Sequence, residues 1–119
     1  VEGRFPGTRA VAFGHLGDGN VHFHVLAPPG AVAGQWELAE GKRISAHVHD
    51  LVARWGGSLS AEHGIGQMKL AEFGRLGDPV HLAVLRRVKQ ALDPHGLLNP
   101  GKLIPPPPPP PLAETGANP

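Results

Sequence analysis

The stretch "GHLGDGNVHFHV", Gly14 to Val25, decides how this chain is read. Its centre, "LGDGN", separates two runs that alternate apolar and polar or small residues. In the first, "RAVAFGH", Val11, Phe13 and His15 share one side, and Ala10, Ala12 and Gly14 share the other. In the second, "NVHFHVLAP", Val21, Phe23 and Val25 fall on one side, and His22, His24 and Leu26 on the other. A period of two marks a strand, and the intervening glycines supply turn conformations, so the pattern predicts a β-hairpin. Three histidines, an aspartate and an asparagine within so short a segment exceed what a turn requires. A second stretch of comparable density, "SAEHGIG", follows at Ser60 to Gly66.

Working outward, Ile44, Val48, Leu51, Val52 and Trp55 recur at helical spacing, and Gly56–Gly57 form the stop. This predicts an amphipathic helix reaching back to Gln35, with Gly41 weakening its first half. Asp78–Pro79 reads as a cap followed by proline at the first helical position, opening a second helix whose stripe is Leu82, Leu85, Val88 and Leu92. Asp93–Pro94 ends it. Residues Pro105 to Pro111 are consecutive prolines, which favour an extended, solvated backbone and not a core. The expected division is a folded domain over residues 1–104 and a proline-rich disordered tail over 105–119.

Composition removes several classes. Eleven basic and ten acidic residues give a net charge of +1, with no basic face for nucleic acid or an anionic membrane. The absence of cysteine excludes disulfides and thiolate metal centres, so any metal is held by His, Asp or Glu. No apolar run approaches the ~20 residues of a membrane span. The start, "VEGRFPGTRAVAF", lacks the order of a signal peptide, which favours a cytoplasmic or membrane-peripheral location over secretion. Opening on Val1, with Met68 as its only methionine, the chain reads as a fragment of a longer protein.

Any single histidine here reads most simply as a polar residue on a solvated face, and His47, His49, His81 and His95 are assigned that way. The combined pattern favours a site. Side chains paired across a hairpin lie roughly 4.5–5.5 Å apart at Cβ, so His15 leaving one strand and His22 entering the next can converge. Two imidazoles facing one point suit a divalent transition metal, with Glu62, the only carboxylate of "SAEHGIG", as third ligand. Zinc is the first choice of ion. "GGSLSAEHGIG" has neither the Gly-Lys-Ser/Thr ending of a P-loop nor Rossmann spacing, so no nucleotide-phosphate site is read there. "LLNPGKL" is strong turn chemistry on its own, and Arg86, Arg87 and Lys89 read as a solvated helix face.

The stretches "GHLGDGNVHFHV", "GGSLSAEHGIGQMK" and "LRRVKQALDPHGLLNPGKL" together resemble the C-terminal end of the FAD-linked oxidase family. That family includes D-lactate dehydrogenases, D-2-hydroxyglutarate dehydrogenases and the glycolate oxidase flavin subunit. The likeness runs from about Ala10 to Ile104. It implies an α+β domain, an antiparallel sheet with packed helices, which caps an FAD held mainly by a flavin domain upstream. It also implies oxidation of a small D-2-hydroxy acid to a 2-oxo acid by hydride transfer to flavin. Carried over by position, His15, His22 and Glu62 match metal ligands, and His63 matches the general base. Asn20, His24 and Asn99 match positions beside substrate or flavin, with histidine at 24 where the branch usually carries asparagine. Two other classes are weighed beside this one. A stand-alone His/Glu metal hydrolase would act without flavin, and an interaction module would bind through Pro105–Pro111.

Overall fold

The computed structural model describes residues 1–106 of the chain, and over them the protein is α+β. Strands β1 (Arg9–His15) and β2 (Asn20–Leu26) form an antiparallel hairpin, followed by helices α1 (Gln35–Arg54), α2 (Leu70–Leu76) and α3 (Pro79–Leu92). A single 3-10 turn, Leu16–Asp18, joins the strands and closes on Gly19 at φ +64°, a left-handed conformation that glycine adopts without steric penalty.

The hairpin register pairs Val11 with His24, Phe13 with His22, and His15 with Asn20. Paired residues share a face, so one side of the hairpin carries both valine and phenylalanine of β1 together with every histidine of the opening stretch. The other side carries Ala10, Ala12, Val21, Phe23 and Val25. There Phe23 and Val25 line a cleft of about 260 Å³ with Trp36, Ile44 and Val48 of α1. The apolar side of the hairpin thus faces the apolar stripe of α1 across this cleft, with Phe23 still 40% and Val21 61% exposed, and the opposite side carries the histidines. Gly14 is required in this register, because a Cβ there would come within 2.0 Å of the Asn20 carbonyl oxygen.

The core is small. Phe5, Ile44 and Leu82 are its buried hydrophobic residues among those described. Phe5, in the segment before β1, packs its ring edge-on against His47 and lies beneath the Arg43 guanidinium. His47 is thereby drawn into packing, and His49 pairs with Glu72, so neither is the solvated helix residue expected from sequence. The α1 stripe stops short of Trp55, which is 86% exposed, and the α3 stripe packs at Leu82 but leaves Val88 and Leu92 in solvent.

Three further features depart from the sequence-based expectation. Helix α2 carries no side-chain cap and holds Gly74 in its interior, so local propensity gives it little signal. It is held from outside, by Arg75 Nη1 donating to Asp50 of α1 at 2.7 Å and by Glu72 Oε2 lying 3.1 Å from His49 Nδ1. Second, Arg86 is not merely solvating: it donates to the carbonyls of Pro105 and Pro106, and Lys89 ties Asp93 to the Leu98 carbonyl. Third, Pro105 is buried beside Gly74, so the first proline of the run packs instead of staying solvated. The remaining prolines, with the tail expected to be disordered, lie outside the described residues apart from Pro106.

Candidate functional site

The hairpin positions the first ligand-bearing side chains. His15 and His22 are diagonal neighbours, not a directly opposed pair, because Phe13 faces His22 and Asn20 faces His15. Their rings still meet edge to face with centroids 5.8 Å apart. Phe13 stacks on His22 at 5.2 Å and on His24 at 5.5 Å, so one phenyl ring packs against both imidazoles.

Glu62 arrives from the irregular loop after α1 and completes the cluster. Its Oε1 lies 3.3 Å from His15 Nε2, and its Oε2 lies 3.8 Å from His22 Nε2. The Asn20 amide donates to Glu62 Oε1, fixing the carboxylate's orientation. One ligand atom from each of His15, His22 and Glu62 can be chosen so that all lie within 4.8 Å of one another. Two imidazole nitrogens and one carboxylate oxygen, gathered on a half-open surface, make a donor set that could hold a divalent metal ion. An amide held against the carboxylate is the usual outer support of such a set. The residues fit a metal.

The other candidates are placed differently. His63 is exposed and lines a groove of about 1060 Å³ together with Lys42, Ser45, His49, Ile65 and Met68. No hydrogen bond or ion pair among the described residues joins its side chain to the cluster. His24 shares the histidine-bearing face of the hairpin and stacks with Phe13, and it is not in the His15–His22–Glu62 cluster. Asn99 lies in the turn after α3 with φ +48°, exposed, and no hydrogen bond ties it to the hairpin among the described residues.

Two polar centres lie beyond what sequence reasoning marked. Asp93, 7% exposed, accepts from Lys89 Nζ at 2.5 Å and from the Leu97 and Leu98 amides at 2.9 Å each. The Lys89 ammonium, followed by those amides, pulls its carboxyl down to about 2. The i,i+4 spacing of Lys89 and Asp93 was a readable signal, whereas the loop amides were not. Glu72 is lowered chiefly by the Arg75 guanidinium and further by His49, against a burial effect that raises it, and Arg75 is raised by Glu72 and then Asp50.

Comparison with known proteins agrees with the three-motif resemblance. Residues 3–103 match the FAD linked oxidases, C-terminal domain. A D-2-hydroxyglutarate dehydrogenase from Xanthomonas citri pv. viticola is 39% identical over 99 residues, covering 83% of this chain and 21% of that protein. The rat mitochondrial D-2-hydroxyglutarate dehydrogenase is 40% identical over 95 residues, covering 80% of this chain and 17% of that one. A D-lactate dehydrogenase from Archaeoglobus fulgidus is 37% identical over 98 residues, 82% of this chain and 20% of that protein. The chain belongs to the FAD-linked oxidase family, a family of flavin-dependent oxidoreductases, through its C-terminal domain. It spans about a fifth of the length of these relatives.

Proposed function

We propose that the chain is the substrate-side, metal-binding part of an FAD-dependent enzyme that oxidises a D-2-hydroxy acid to the 2-oxo acid. The carrying observation is the convergence of His15, His22 and Glu62, from two strands and a distant loop, on one point of the histidine-bearing hairpin face. These three residues would hold a divalent ion, zinc by the donor set. When bound, that ion would supply Lewis acidity toward the substrate carboxylate and the C2 hydroxyl. FAD, contributed largely by the rest of the enzyme, would supply the acceptor for the C2 hydrogen and its electron pair.

The chain's own residues do the remaining work. Asn20 holds the Glu62 carboxylate in register with the imidazoles. His63, next to that ligand and free of the cluster, takes the C2 hydroxyl proton on a ring nitrogen as the C2–O bond becomes a carbonyl. Asn20, His24 and Asn99 are proposed to contact substrate or flavin.

The test is made on the intact enzyme that contains this domain. His22→Ala is expected to lose metal and turnover together, with partial recovery at high added metal. His63→Ala is expected to keep its metal and slow flavin reduction on the order of 10²- to 10⁴-fold. Elemental analysis and stopped-flow flavin reduction report both. Full metal and normal reduction in the His22 variant rule out the ligand set, and parent-rate reduction in the His63 variant rules out the base.

A further inference from the structure

The loop bearing Glu62 and His63 runs from Ser58 to Lys69 with no helix or strand of its own, yet Glu62 must reach the hairpin at a defined point. Its shape is set by two polar side chains. The Ser60 hydroxyl donates to the His63 carbonyl and lies 3.4 Å from the Gly64 carbonyl, which closes a tight turn around Glu62 and His63. Lys69 Nζ donates to the Leu59 carbonyl at 2.8 Å and to Ser60 Oγ at 3.3 Å. The serine hydroxyl thus accepts from the lysine while its own proton goes to the loop carbonyl, a use that satisfies both roles of the group.

Lys69 is well placed to anchor such a turn. It is half-buried and directly precedes α2, and α2 is tied to α1 through the Arg75–Asp50 and Glu72–His49 pairs. An ammonium held by a braced helix pair fixes the start of the loop, and Ser60 transmits that position to the two residues beyond it. A flexible turn would leave the carboxylate free of the imidazoles, with a loss of pre-organisation at the cluster.

We propose that Lys69 and Ser60 form a clamp that positions the Glu62–His63 turn, both being positioning residues that touch neither metal nor substrate. This rests on the reading of Glu62 as ligand and His63 as base. In the intact enzyme, Lys69→Met and Ser60→Ala should weaken metal retention against a competing chelator by about tenfold or more, the low end of effects seen on disturbing outer-shell partners. In the metal-free protein both should speed amide exchange across Leu59–Gly66 while leaving α2 unchanged, and Lys69→Arg should restore both readouts.

Parent-like retention and exchange overturn the clamp. So does faster loop exchange with unaltered metal retention, which makes the contacts a loop fastening without effect on the site. Loss of α2 protection together with the loop's makes Lys69 a folding residue and also overturns it. A parent enzyme that binds no divalent metal sinks the ligand set instead. The clamp then stands only if exchange rises in the loop and kcat falls with KM unchanged, and it fails otherwise.

Discussion

Asp93 shows how one residue sets a segment. It ends α3, takes the Lys89 ammonium, and gathers the Leu97 and Leu98 amides, so the turn that presents Asn99 hangs on a single carboxylate. Its carboxyl titrates near 2 in the folded protein against an ordinary 3.8, so the folded state favours the ionised form. The stabilisation is therefore complete above about pH 4 and is lost as the pH falls toward 2. Thermal unfolding followed between pH 2 and pH 5 should show a midpoint that declines on the acid side in the parent. In Asp93→Asn the midpoint should already be lower at neutral pH, and the decline should be shallower. Equal slopes in the two proteins would mean that another carboxylate controls the acid limb. At the same scale, Lys89 and Arg86 were read as solvating charges because composition alone cannot show which carbonyls a long side chain will find.

At the scale of elements, the strands and two of the helices follow from local rules, while α2 does not. Helix α1 begins with Gly34 at φ +80° and the Glu37 carboxylate accepting from the Gly34 amide at 2.6 Å. α3 begins with the Asp78 carboxylate accepting from the His81 amide at 2.8 Å. These are local contacts that residue type and spacing announce. Within α1, Gly41 is the weak point. A Cβ built there meets nothing within 4 Å, so the glycine brings conformational entropy cost without a packing return. Gly41→Ala should raise the unfolding free energy by about 0.5–1 kcal/mol, read from chemical denaturation. A destabilised variant would contradict the open space around Gly41.

For the molecule as a whole, the core is thin for the amount of apolar surface left outside it. Leu16 is 99% exposed, Met68 97% and Trp55 86%, alongside only three buried hydrophobic residues among those described. A chain that spans about a fifth of its relatives and leaves this much apolar surface in water is expected to self-associate when prepared alone. It should also bind an apolar-surface dye, and it should take up no stoichiometric FAD, since it spans only about a fifth of the length of its FAD-linked relatives. Size-exclusion chromatography with light scattering, dye fluorescence and the flavin absorbance band check these points. A monodisperse, dye-silent monomer or a yellow preparation would contradict them. No helix among the described residues is long and apolar enough to cross a membrane, so that surface is not a helical span.

The amino-acid sequence by itself determined the hairpin, with β1 at Arg9–His15 and β2 starting at Asn20, because a period of two and a glycine-rich turn are written in adjacent residues. It also determined the limits of α3, through Asp78–Pro79 and Asp93–Pro94, and the candidate ligands His15, His22 and Glu62 as residue types. Only the tertiary structure decided that His15 and His22 meet diagonally, that Phe13 stacks on both His22 and His24, and that His63 opens onto a groove apart from the cluster. It likewise decided that α2 exists and that Lys69 and Ser60 shape the loop. The physical reason is range. Strand alternation and helix caps arise from sterics and hydrogen bonds between near neighbours. Asn20 and Glu62 are 42 positions apart, and their meeting depends on where α1 returns the chain.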